Sequence, residues 1–360
     1  MRISGSASYA IGVAAAVALL AGCSSSGTGS QYSPASPVGG GTGMTGMGHT
    51  AHVLDRHVTI TSLKAGKVHS DHRKSWVSPD AAKAPRLLFE SDSGTNDVYI
   101  YTLPALALKG TLTGFNEPQG ECSDKSGNIW ITNTNANQIL QYSRTGSLMN
   151  TLTDTYGYPV GCAINPTNGD LAVTDIFDFS GAGGIILYAN ATGSGTRISN
   201  PAQYEYFFDG YDANGNLYTD GFSYPSFTFT ISVLPAGSNT LSTASISGTQ
   251  PAFPGMVQWY RVGNYLAVGD QSGPSGSDVL WYSVSGTSLT YTGVTNLQNS
   301  SGGGISDLVQ GVIAANNQKY LAGGDAGAGT VNRWSWDAGG MPTNSASGLS
   351  LPIGAAVSTK

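Results

Sequence analysis

Charge is scarce in this sequence. Only 11% of its 360 residues are Asp, Glu, Lys or Arg, against about 25% in an ordinary globular domain. The wet faces must therefore be built from hydroxyls and amides and not from ion pairs. Helical periodicity is missing as well: no long stretch repeats its apolar residues every 3.6 positions, which excludes a helical fold. No apolar run reaches the ~20 residues that span a bilayer as a helix. Histidine numbers five and cysteine three, and all five His (His49, His52, His57, His69, His72) precede residue 73. No G-x-S-x-G elbow occurs, which excludes an α/β-hydrolase nucleophile. What the chain has instead is 50 Gly, with abundant Ser, Thr and Asn. Hydrophobic residues at 40% are enough for a core and argue against general disorder.

The formal charge of −6 hides an asymmetry. Residues 53–86 carry seven Lys or Arg against three Asp, whereas from residue 87 onward eight Lys or Arg face nineteen acids, a balance of −11. Such a body is a poor partner for nucleic acid.

The chain opens with a single positive charge, Arg2, and an apolar run from Tyr9 to Ala21, the pattern of a signal peptide over 1–22. Its end, Leu20-Ala21-Gly22-Cys23, resembles the bacterial lipobox. That resemblance implies cleavage before Cys23, acylation of Cys23 (palmitate-type chains), and a membrane-anchored lipoprotein facing the periplasm or cell exterior. Several acyl chains hold more firmly than the marginal single chain. Residues 23–52 read as a Ser/Gly/Pro/Met/His-rich tether. Within it, "MTGMGHTAH" places Met44, Met47, His49 and His52 together, soft ligands that suit copper. Weak metal binding there stands beside a plain solvated tether, and no other cofactor is expected. Residues 53–86 form a basic segment ahead of the main domain.

From 87 to 360 one phrase returns: a short strand that closes on Asp or Asn. It reads "LLFESD" (Asp92), "IWITN" (Asn133), "LAVTD" (Asp175), "LYTD" (Asp220), "LAVGD" (Asp270) and "LAGGD" (Asp325). Each is followed by a Gly- or Asn-rich turn and a second apolar strand. A period of 40–55 residues with about four strands per unit is the signature of a β-propeller, and six phrases predict six blades. A ring must close, since an open blade leaves a sheet edge bare. Blades two and three begin with "PQGECSD" and "PVGCAIN", but blade one has no such strand before Leu87. The C-terminal "PIGAAVS" at 352–358 supplies it. The expectation is an all-β, six-bladed propeller closed by its last strand.

With "GNxxxT(D/N)" as its recurring core, residues 87–360 resemble the NHL and SMP-30-like six-bladed propellers. The whole chain resembles a group of bacterial lipoproteins of this type without an established activity. The Asp/Asn ladder itself is read as turn-capping, because a short carboxylate at a strand end bonds the backbone two residues on.

Ligands of propellers sit at a mouth of the central channel. Aligned on the turns, the channel positions are Glu121, Cys162, Asp209, Met256, Val312 and Ala355, so Glu121 and Asp209 are the candidate ligands. SMP-30-like lactonases hold a divalent cation with carboxylates and amides from several blades. Two carboxylates with apolar residues opposite serve such a cation poorly. The favoured function is a binding or scaffold module, taken as a monomer, for an envelope protein or carbohydrate. The alternative is a lactonase- or lyase-type enzyme with a channel-mouth site. Cys122 and Cys162 fall one residue apart in register on neighbouring inner strands in an oxidising compartment, which predicts a disulfide. Finally, Tyr156, Tyr158, Tyr204, Tyr206, Phe207, Phe208 and Tyr211 crowd one region; an exposed aromatic set could stack on sugars, though packing between blades accounts for most of them.

Overall fold

Short strands rich in Val, Ile, Leu and aromatics, punctuated by Gly and Asn turns, leave little choice but antiparallel meanders. The computed structural model describes residues 74–314 and 319–360. Six sheets of four or five strands, antiparallel except for one rim pair, are arranged radially. From axis to rim, blade two runs Pro118–Ser123, Ile129–Asn133, Gln138–Tyr142 and Leu148–Thr153. Blade three runs Gly157–Ile164, Leu171–Asp178, Gly181–Tyr188 and Thr196–Ile198. Blade four follows with Glu205–Tyr211, Leu217–Phe222, Phe229–Leu234 and Ser242–Thr243.

Blade five starts at Pro254–Tyr260 and gains a fifth strand at its rim, Ser245–Ser247, which pairs parallel with Ser288–Asn296. Blade six has an inner strand of only three residues, Gly311–Ile313. The inner strands contact one another in ring order, and that of blade six touches that of blade one.

The last strand, Pro352–Thr359, pairs antiparallel with Arg86–Asp92 as the inner strand of blade one. Its two faces both pack against neighbours: Ile353, Ala355, Ala356 and Val357 are all buried, in three different core clusters. The ring therefore closes as the repeat predicts. Blade one also reaches back beyond residue 87. Trp76–Val77 forms its outermost strand against Thr111 and Gly110, followed by a 3-10 turn, Pro79–Lys83, capped by the Ser78 side chain.

The glycine shared by "PQGECSD", "PVGCAIN" and "PIGAAVS" has a packing reason. A Cβ on Gly354 would strike the carbonyl of Gln119 in blade two; on Gly120, that of Val160 in blade three; on Gly161, that of Phe207 in blade four. Gly210 meets the carbonyl of Val257 in blade five in the same way. Inner strands of blades one to five thus approach backbone to backbone, and only a residue without a Cβ allows it.

Where blade six has no such contact, two glutamines substitute. Gln258 donates to the Ile313 carbonyl (2.8 Å) and accepts from its N–H (2.7 Å). Gln310 accepts from the N–H groups of Glu121 (2.9 Å) and Ala355 (3.1 Å) and donates to the Glu121 carbonyl (3.0 Å). Inner-strand backbone groups have no further strand to pair with, so these amides supply the missing partners.

Candidate binding face

Asp92, Asn133, Asp270 and Asp325 end their second strands as the sequence predicts, whereas the strands of Asp175 and Asp220 run on to Asp178 and Phe222. The role of the ladder is visible in its partners. Asp92 accepts from Ser350 N–H (2.7 Å) and Leu351 N–H (2.8 Å), in the connector that enters its own blade. Asn133 does the same for Asn116 N–H (2.6 Å), Asp270 for Ala252 (2.9 Å) and Phe253 (3.0 Å), and Asp325 for Ser306 (3.2 Å). Asp220 takes Phe208 N–H (2.9 Å) and Gly255 N–H (3.0 Å). Four of these residues cap backbone donors of connectors, and Asp220 caps one donor in each of the inner strands of blades four and five.

Asp175 is the exception. It receives no N–H, and its carboxyl instead lies against that of Asp154, which sits in the connector entering blade three. Asp154 itself accepts from Tyr156 N–H (2.7 Å) and Gly157 N–H (3.2 Å).

The two channel candidates are placed as follows. Glu121 is buried close to Glu90, neither of its carboxyl oxygens has a hydrogen-bond partner, and burial pushes its pKa well up. Asp209 is buried beside Asp220, and burial followed by that like charge pushes it up too. The six positions aligned from the sequence do not form one level. Glu121, Cys162, Val257, Gly311 and Ala355 stand opposite the second-strand residue two before the ladder position. Asp209 and Met256 lie one residue earlier on their inner strands, and Val312 one later. Register shifts interrupt the inner-strand pairing of blades one to five between these positions and the ladder. Among the described residues, no three His, Cys, Asp or Glu side chains converge on a common point.

Cys122 and Cys162 are disulfide-bonded across blades two and three, with their Cα atoms 5.6 Å apart. Cys23, Met44, Met47, His49 and His52 lie outside the described residues.

The ladder face of blades three and four carries an aromatic strip. Phe177 and Phe179 belong to the hairpin after Asp175, Tyr204 to the connector entering blade four, and Tyr224 and Phe227 to the loop after Phe222. Ring centroids follow one another at 6.1 Å (Phe177 to Tyr204), 5.0 Å (Tyr204 to Tyr224) and 5.8 Å (Tyr224 to Phe227). Phe179, on the other side of its hairpin, packs edge-on against the buried Tyr158 at 5.4 Å. Phe179, Tyr224 and Phe227 keep 42%, 49% and 42% of their surface in water. Tyr206, Phe207 and Phe208 are buried between blades, so the crowd of aromatics read from the sequence is mainly core. The exposed rings Phe179, Tyr224 and Phe227 were not in it. An aromatic run inside a turn is the only signal that could have found Tyr224 and Phe227.

Charges around the strip are few. Asp178 pairs with Arg197 at 3.1 Å. Glu205, next to Tyr204 and partly buried, is pushed up to about 7 by loss of solvent.

No family model matches the sequence, and no curated protein matches it. Solved structures with the same fold do. The chain superposes on a nidogen/laminin complex chain with a TM-score of 0.58 at 12% identity, covering 76% of this chain and 98% of that one. A protein of unknown function from Bacteroides caccae gives 0.55 at 13% identity, covering 77% and 100%. TolB from Acinetobacter baumannii gives 0.54 at 13% identity, covering 79% and 68%. Identities this low show a shared β-propeller fold and nothing finer.

Proposed function

We propose that the protein is a lipid-anchored, extracytoplasmic binding module that presents the ladder face of blades three and four to an envelope protein or glycan. The observation that carries this reading is the exposure of Tyr224 and Phe227 at the end of the strip, with Phe179 exposed on the hairpin of the neighbouring blade. Three large rings held in water on adjoining loops oppose the ordinary preference for burial and mark an interaction surface. The lipobox at Cys23 and the tether place that surface at a distance from a membrane. A photo-crosslinking side chain at position 224 of the full-length protein tests the face, with one at Lys125, an exposed turn position at the opposite end of blade two, as control. Adducts with isolated envelope material should form from 224 and not from 125; equal yields, or none from 224, reject the reading. Cys23→Ser should leave the protein unprocessed or move it out of the membrane fraction, and retention with normal processing rejects the anchor.

A further inference from the structure

The strip is unusual in how firmly it is held open. In the loop between Phe222 and Phe229, Ser223 N–H donates to the Thr228 carbonyl (3.0 Å). The hydroxyls of Ser223 and Ser226 (3.0 Å) and of Thr228 and Ser226 (3.1 Å) bond one another. Tyr224 and Phe227 are thus fixed outward before any ligand arrives, which lowers the ordering cost of binding. Tyr204 and Tyr224 lie 5.0 Å apart and are tilted by 34°, and Phe227 stands edge-on to Tyr224 at 5.8 Å, so the Tyr224 face is flanked by a second ring on each side.

Charge narrows the occupant. The charges acting on Tyr204 are those of Glu205 and Asp178, and Asp178 is already neutralised by Arg197. The body beyond residue 87 carries an acidic excess, so polyanions are repelled. The rings stand on turn tips, away from any strand edge to which an extended peptide could add. A neutral sugar meets both conditions: its C–H face stacks on the electron-rich ring face, and its hydroxyls pair with carboxyl and hydroxyl groups. Resting on the binding-face reading above, we infer that the ligand is a neutral glycan, stacked on the Tyr224 face and flanked by Tyr204 and Phe227.

Affinity electrophoresis of the full chain in gels containing laminarin, mannan, heparin or poly-lysine tests this. Retention by laminarin or mannan, and not by heparin, is expected. Tyr224→Ala and Phe227→Ala should each weaken it about tenfold, the order of one aromatic contact, with an unchanged melting midpoint, and Tyr224→Phe should keep most of it. No retention by either neutral polysaccharide, or retention indifferent to both alanine variants, overturns the glycan. Retention by poly-lysine alone also overturns it and assigns the face to a cationic partner. Failure of the gels with persistent adducts from position 224 rejects the glycan alone; failure of both rejects the binding face itself.

Discussion

The buried carboxyl groups of Asp154 and Asp175 lie close together across the boundary between blades two and three, and neither oxygen of Asp175 receives a hydrogen bond. Two carboxylates cannot bond; a carboxylic acid and a carboxylate can. Burial first, then the Asp154 charge, holds Asp175 well above the ordinary carboxylate range, with Arg197 opposing and Asp178 adding to the shift. The pair therefore shares a proton that the unfolded chain gives up at lower pH. Because the folded pKa is the higher one, the native state binds more protons, and stability falls as pH rises through that value. Glu90, Glu121, Asp209 and Asp220 carry shifts of the same sign, and Glu205 and Asp278 are pushed to about 7. Calorimetry should find a higher melting midpoint at pH 5 than at pH 8. Asp175→Asn supplies a permanent donor to Asp154, so it should raise the midpoint at pH 8 and flatten the profile. A lower midpoint for that variant at pH 8 would refute the shared proton.

Cys122 and Cys162 join the inner strands of blades two and three over a sequence separation of 40. Closing a loop of that length stabilises the fold by about 4 kcal/mol in the chain-entropy model. The Cys122→Ser/Cys162→Ser variant, or the reduced parent, should unfold in denaturant with a free energy lower by roughly that amount. Thiol titration of the unfolded, unreduced protein should not detect these two cysteines.

The closing strand can be removed directly. Ile353 and Val357 alone represent about 3–6 kcal/mol of apolar burial, so deletion of 351–360 should depress the melting midpoint by roughly 10 °C or more. The bared edge of Arg86–Asp92 should also promote association, visible in light scattering. A truncated chain that melts like the parent would contradict closure by this strand.

Gly161 illustrates the contact between inner strands. A Cβ there would stand 2.6 Å from both the Phe207 carbonyl oxygen and the Thr174 hydroxyl, and that hydroxyl donates to the same carbonyl (2.6 Å) while accepting from Gly161 N–H (2.9 Å). Gly161→Ala should cost about 1–3 kcal/mol by forcing the blades apart. Gly169→Ala meets nothing within 4 Å and carries only the strain of a positive φ, so it should cost about 1–2 kcal/mol. Equilibrium unfolding of the two variants separates crowding from backbone strain.

Blade number, closure by "PIGAAVS" and the Cys122–Cys162 bond were legible because each rests on a local pattern: strand, turn and a repeated Gly. The Trp76–Val77 strand was not, since two residues are too few to show a period. The channel level failed at Asp209, Met256 and Val312 because alignment on the turns assumes equal second strands, whereas Ile129 to Asn133 is five residues and Leu217 to Asp220 is four. The departure of Asp175 from the ladder was equally hidden. Its phrase "LAVTD" matches the others, and only the arrival of Asp154 from the preceding connector changes its partner. Exposure of Tyr224 and Phe227 depends on which loops stand beside them, and that is set by the packing of whole blades.

Both ends of the described chain enter blade one, but at opposite edges. A tensile load applied through the residues before 74 reaches the two-residue rim strand first and the closing strand last. Trp76–Val77 and the 3-10 turn can peel away while Pro352–Thr359 stays paired with Arg86–Asp92. The eight residues from Trp76 to Lys83, once freed, would span up to roughly 28 Å. The two chain ends are thus fastened unequally, by two residue pairs at the rim and seven at the axis.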